Sequence, residues 1–359
     1  MDIHAVTRRR IEEIAAWLPD EPKADGARIG ERAAWERLAA LPEAAAAIAE
    51  AEELSREPIP ELSDERYLDF TTSGNRTAYE KPYFARFRRL DALLLAECLE
   101  NRGRFMSGIV EMVEAVCSQR TWTVPAHDDR LTAFRGTPHV ELCSAELCLK
   151  LARTRDWLGG ALPEGLSGRM ARECRRRVFE PYLLTARNRT DKAVRDRYPW
   201  HGWFDKDLAN WNSVRHSCVL RAALAIVPDR RTRAEFVATA ESSLPARLEG
   251  GFLPDGTCTE GIGYWNYGYG HHLMMGLSVR NATGGKVDFF RDPKNRLVME
   301  YAYGCQMERG KSPPFADGAG SPDPGALALV RQVCPDVSSR AAASLGLLDG
   351  VFTRFRAFP

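Results

Sequence analysis

The sequence predicts an all-α chain built from paired antiparallel helices. Three observations carry that prediction. Apolar residues recur at spacings of three and four through most of the chain, which is the repeat of one helix face. Alternating runs, the mark of a half-buried strand, are few. Clusters rich in Gly and Pro (GTPH, LGGALPEG, VPDR, GGFLPDG, TGGK, KSPP) separate several of the periodic stretches, and short breaks of this kind make successive helices antiparallel neighbours.

Residues 1–60 read as a loosely anchored helical extension, with residues 61–359 forming the main domain. Within the extension, LPEAAAAIAEAEEL favours helix through its alanine and glutamate, and Pro58 and Pro60 punctuate it. From Pro82 onward, Phe84, Phe87, Leu90, Leu94 and Cys98 form one helix face, and Asn101, Arg102 and Gly103 break it. Phe105, Ile109, Met112, Val113 and Val116 form the next face. Further helices are expected at about 139–157, 165–185, 210–227, 232–247, 261–281 and 295–308. Two long connections, TWTVPAHDDRLTAFRG at 121–136 and RYPWHGWFDKDLANWN at 197–212, carry Trp, His and Asp. Long loops of that composition between rigid helices suit binding edges.

Composition excludes some classes of partner. Fifty Lys and Arg against 49 Asp and Glu leave a formal charge of +1, so nothing draws the whole chain to nucleic acid or to an anionic membrane. An acidic ligand must be held by a local site. The nine cysteines include no metal-type CxxC pair and sit largely in apolar helical contexts, so they read as buried free thiols in a reducing compartment. The N-terminal MDIHAVTRRR lacks the apolar core of a secretory signal, and no stretch of about 18 apolar residues occurs. A cytoplasmic protein with no cofactor is expected. GxGxxG, P-loop, HExxH and GxSxG motifs are absent, and His271 and His272 are adjacent, which points them to different helix faces and makes a poor metal pair.

Four segments could carry chemistry. The first is NWNSVRHS at 210–217. Asn210 suits a helix N-cap whose side chain accepts from an orphan N–H. Asn212 falls in the first turn, where the helix dipole favours an anion, and shares a face with His216, with Arg215 beside it. An amide, a cation and an imidazole there can bind a carboxylate; the plainer reading is a capped helix with two solvated basic residues. The second is DGTCTEGIGYWNYGYGHH at 255–272. If it continues as helix, Glu260, Tyr264, Tyr267 and His271 form one polar stripe lining a cavity; the plainer reading is an aromatic packing helix. Its glycines, each costing about 0.5–1 kcal/mol in a helix relative to alanine, argue for close approach of a ligand or another backbone. The third places Trp122 and His127 at a cleft rim or, equally, on a rigid proline turn over a packed Trp, with Glu141 and Glu146 on the next helix as buried partners or exposed charges. The fourth, Phe315–Gly318, is a turn.

Taken in order, YLDFTTSGNRTAYEKPYFARFRRLDALLLAECLENRGRF, TWTVPAHD, RRRVFEPYL, NWNSVRHS, DGTCTEGIGYWNYGYG and PPFADG resemble the heparinase II/III-like polysaccharide lyases over about residues 60–320. The resemblance implies an incomplete (α/α) toroid followed by an antiparallel β-sandwich. It implies β-elimination at a uronic acid residue of an acidic polysaccharide or oligosaccharide, with Asn212 neutralising the carboxylate, Tyr264 transferring a proton and His216 assisting. Substrate contacts would come from Arg215, Trp211, Trp203, His201, Glu260, Tyr267, His271, Trp122 and His127. About forty residues follow PPFADG, too few for a β-sandwich of about 100 residues, so that domain is expected to be missing from this chain. Two other functions fit the same helices. One is a glycan-binding toroid without turnover, using Trp122, Trp203 and Trp211 as sugar platforms and Arg215 for the carboxylate. The other is a glycoside hydrolase drawing two carboxylates from Glu260, Asp205, Asp207 and Asp317. The lyase expectation places 121–136, 197–216 and 255–272 along one cleft.

Overall fold

The computed structural model describes residues 6–188, 190–198, 210–305, 312–316 and 320–338. These residues are predominantly helical and contain no strand; Phe252 and Cys258 form an isolated antiparallel bridge. The helices in order are α1 (Arg8–Trp17), α2 (Arg32–Ala39), α3 (Pro42–Arg56), α4 (Asp64–Ser73), α5 (Thr77–Glu100), α6 (Met106–Ser118), α7 (Leu142–Leu158), α8 (Glu164–Cys174), α9 (Glu180–Arg187), α10 (Lys192–Arg197), α11 (Asn210–Ile226), α12 (Arg230–Gly251), α13 (Ile262–Tyr264), α14 (Gly270–Ala282), α15 (Lys294–Gly304) and α16 (Pro324–Val333). π-helical turns at Arg175–Phe179 and Trp265–Tyr269 join α8 to α9 and α13 to α14. The all-α expectation holds, and the helix starts fall within a few residues of the periodic stretches because capping and breaking residues mark them. Asn101 ends α5 in the left-handed conformation (φ 53°), a state an Asn side chain tolerates better than most.

The chain divides into two compact units. The first comprises residues 1–22 and 201–354. In it α1 packs along α12, and Ile11, Ile14 and Leu18 join Leu220, Val237, Met275 and Val279 in one apolar cluster. Arg10 clamps Glu241 on α12 through a two-pronged ion pair, with contacts of 2.8 and 2.6 Å. A second cluster gathers Leu248, Phe252, Trp265, Tyr269, Leu273, Val298 and Met299 from α12 to α15. The other unit comprises residues 23–200 and 355–359. There α3 lies along α5, α5 packs on α6 and α7, and α6 and α7 pack on α8. Asp91 on α5 and Lys150 on α7 form a buried ion pair, and burial holds the lysine below its ordinary value against the pull of that partner.

The first sixty residues therefore form no unit of their own. They are shared out: α1 belongs with α11–α16, while α2 and α3 pack within the second unit. The reason is burial, since each of these helices presents an apolar stripe that a loose extension would leave in water.

Candidate functional site

The site is built at the head of α11. Its first residue, Asn210, donates its backbone N–H to Glu260 Oε2 (2.8 Å) and its side-chain amide to Glu260 Oε1 (2.9 Å). A carboxylate in that place satisfies an orphan helix N–H and complements the positive end of the helix dipole. The cap thus arrives from a distant segment. Asn210 does not supply it, as the sequence had suggested: its own Oδ1 is buried and has no hydrogen-bond partner. Arg247 of α12, 1% exposed at its side chain, lies 3.9 Å from the same carboxylate. Its Nε is 3.4 Å from Ser213 Oγ, and its guanidinium sits 4.6 Å from the Phe252 ring centre. Sequence reasoning missed Arg247, although Thr239, Ser243 and Arg247 recur every four residues inside an otherwise buried helix.

Further along α11, Asn212, Arg215 and His216 are all buried, at 2% exposure or less. This corrects the reading of two solvated basic residues: helix α11 is enclosed by α12 and α14, so its polar residues point into protein. Asn212 Oδ1 has no hydrogen-bond partner. An unmet amide oxygen in the interior costs about 1–3 kcal/mol, and a planar amide can present either its oxygen or its NH2 at one position. Trp211 is half-buried.

The 255–272 segment is not one regular helix. Glu260 lies in a turn before α13, and the π-helical turn at Trp265–Tyr269 inserts an extra residue into the helical repeat. The expected four-residue stripe is therefore corrected: Glu260 turns to α11, while Tyr267 and His271 remain adjacent, with ring centres 5.3 Å apart at 84°. His271 Nδ1 is 3.6 Å from the thiol of Cys218 on α11. Trp265 and Tyr269 face the core, their polar atoms bonded to Val298 O and to Asn295. Tyr264 and Tyr267 are only half-buried. Gly268 explains how the turn approaches α11, since a Cβ there would lie 2.7 Å from Asn210 Cβ and 3.0 Å from Asn210 Cα. The head of α11 and the turn that begins one residue after Tyr264 are thus in contact. His272 points away from this surface, stacked on Tyr269 at 16°, and burial pulls its imidazole down to about 4 despite a hydrogen bond with Asn295.

No protein-family model matches the chain, and no curated protein matches it.

The residues expected from the 121–136 loop lie in the other unit. Trp122 is buried, donates its indole N–H to Val116 O (3.0 Å) and carries the Arg177 guanidinium over its ring. Those contacts suit packing over the proline turn and leave little ring free for a sugar. His127 Nδ1 is 2.6 Å from Oε2 of the buried Glu141. Glu141 also caps α7, accepting from the backbone N–H groups of Cys143 and Ser144. Burial alone would raise its carboxyl, but His127 and these N–H groups outweigh that and hold it below the ordinary value. Nearby, Asp128 accepts from the Tyr67 phenol (2.9 Å) and from the backbone of Ala133 and Phe134. The ligand atoms of His127, Glu141 and Cys143 lie within 4.8 Å of one another, yet the Glu141 oxygens are already engaged, and a helix N-terminus disfavours a cation. The nine cysteines are all free thiols, seven of them buried, as their apolar settings foretold. His201, Trp203, Asp205, Asp207 and Asp317 lie outside the described residues.

Proposed function

We propose that this chain is the helical toroid domain of a polysaccharide lyase that cleaves an acidic polysaccharide by β-elimination at a uronic acid residue. The observation that carries the reading is Asn212, buried with its side-chain oxygen unpartnered at the head of α11, where that helix meets the turn following Tyr264. Turned so that its NH2 takes that position, the amide would donate to a uronate carboxylate, which only accepts. Neutralising the uronate carboxylate makes the adjacent C5 proton removable. The C5–H bond then breaks, its electron pair forms the C4=C5 double bond, and the C4–O bond breaks with its pair going to the departing oxygen. Tyr264 protonates that oxygen, and His216 or the same phenol takes the C5 proton. A phenol with an ordinary value near 10 needs nearby positive charge to act as a base at neutral pH; Arg215 is the candidate source.

The glycosidase reading has less to support it. Its candidate Glu260 already has both oxygens bound to Asn210, which makes it a helix cap rather than an acid free to give its proton to a sugar. The deciding experiment is an absorbance screen for unsaturated product over a panel of uronic-acid polymers. A lyase releases that chromophore from at least one of them. Reducing ends appearing without the chromophore would mean hydrolysis and would overturn the proposal, as would tight binding with no product from any polymer.

A further inference from the structure

The π-helical turn at Arg175–Phe179 holds more residues per turn than an α-helix, so neighbouring side chains diverge less. Arg176 and Arg177 accordingly reach the same oxygen, Glu173 Oε2, at 2.7 and 2.6 Å. Both line one half-open crevice of the second unit, together with Arg120, Thr121, Thr137 and His139. Among the described residues its lining holds three guanidinium groups and no carboxylate. The free space inside is about 40 Å³, room for roughly three waters. Arg177 is fixed in place. Beyond its bond to Glu173, its Nη1 donates to Arg120 O (3.1 Å) and its Nη2 to Gln119 O (2.7 Å), and the group lies over the Trp122 ring. Each terminal nitrogen carries two N–H groups, so one on each remains after these bonds. Burial holds this guanidinium below its ordinary value, and the like charge of Arg176 acts the same way. An anion beside the two would offset both effects.

We propose that this crevice binds the terminal oxygens of a sulfate or phosphate ester. Arg176 and Arg177 donate to two of them, since planar guanidinium forks match the oxygens of such a group. The hydroxyls of Thr121 and Thr137 are donors for the third; Thr121 Oγ1 already accepts from Thr123 N, which leaves its O–H to give. The three terminal oxygens take the space of three waters, and the ester oxygen leads out to its carrier. A planar carboxylate has two oxygens and would leave one of those places unfilled. Charge points the same way: Asp64 and Glu173 are bound to the three arginines, so three positive charges meet two negative ones and one is left over. The site uses neither Asn212 nor Tyr264, so it and the lyase reading fail separately.

The test is isothermal titration of the whole chain with inorganic sulfate and inorganic phosphate, then with glucose 6-sulfate and glucose 6-phosphate. Ionic strength is held constant with sodium chloride, because exposed charges are screened by salt. The expected result is saturable binding of at least one ester, weakened about tenfold in Arg176→Gln; the tighter of the two esters names the group. Arg176 is exposed, so this variant should melt with the wild type, and Thr137→Val should weaken binding without changing the charge. Arg175→Gln is the control and should bind as wild type, since Arg175 is one residue away but pairs with Glu180 and does not line the crevice. A crystal grown with the tighter ester should show its oxygens against Arg176 and Arg177. No binding beyond that of sodium chloride, binding of the inorganic ions with neither ester (an adventitious ion only), equal losses in Arg175→Gln and Arg176→Gln, or an ester seated elsewhere in the crystal would each overturn the proposal.

Discussion

At the scale of single residues, Tyr264 and Asn212 have different jobs and should fail differently. Tyr264→Phe keeps the ring and removes the proton. Its loss should be mainly in kcat, by about 10²–10⁴-fold as for other acid–base groups, with substrate binding nearly unchanged. Asn212→Ala should weaken both binding and turnover, because the carboxylate is present in the ground state and gains charge as the proton leaves. Tyr267, held edge-on to His271, is the control. Normal kcat in Tyr264→Phe beside a loss in Tyr267→Phe would move the phenol's role along the segment. His272 makes a separate prediction about pH. Its imidazole is drawn from an ordinary 6.5 to about 4 by burial. The unfolded chain therefore binds a proton at that residue between those values while the folded chain does not. The contribution is intact above pH 6.5 and is lost as pH falls toward 4. At ~1.4 kcal/mol per pH unit it amounts to about 3 kcal/mol across the interval. Chemical denaturation of His272→Asn at several pH values should show a shallower fall than wild type over that range; parallel curves would refute the assignment.

At the scale of elements, the site depends on how closely the π-helical turn lies against α11. Gly268→Ala inserts a methyl 2.7 Å from Asn210 Cβ, where backbone on both sides leaves little room to move. Urea unfolding should report a loss of about 1–3 kcal/mol, the usual cost of overpacking, and turnover should fall with it because the Asn210–Glu260 contact is displaced. An alanine variant as stable as wild type would show that the approach is looser than described. The element boundaries were largely legible in the sequence: periodicity located α7, α11, α12, α14 and α15, and Asn101 marked the end of α5. The π-helical turn was not legible, because a hydrogen-bond shift of one residue has no composition of its own. Glu260 left the expected stripe for a separate reason: it lies in the turn before α13, outside the helix, where it reaches α11 instead.

At the scale of the whole molecule, the chain order and the compact units disagree. Helix α1 belongs to the unit formed mainly by residues 201–354, with residues 23–200 lying between them in sequence. Residues 23–198 expressed alone should give a cooperative thermal transition. Residues 201–359 alone should melt lower than the same segment carrying residues 1–22 on a linker, because Ile11, Ile14 and Leu18 each gain about 1.5–3 kcal/mol on burial. Circular dichroism melts of the three pieces check this, and equal melting temperatures with and without α1 would contradict it. Among the described residues no helix is long and apolar enough to cross a membrane, in line with the absence of such a run in the sequence.

The sequence by itself determined the all-α class, most helix starts, the free state of the cysteines and the choice of 210–217 and 255–272 as segments worth attention. These depend on local propensity, periodicity and capping chemistry, which act over a few residues and leave their mark in residue order. Only the tertiary structure decided that Glu260 caps α11, that Arg247 stands behind it, that Arg215 and His216 are buried rather than solvated, that Glu141 fixes His127 and that α1 joins the far end of the chain. Each of those pairs residues 13 to more than 200 positions apart or depends on which side of a helix another helix covers. Burial and partner choice arise from packing between elements, and no local pattern encodes which element arrives.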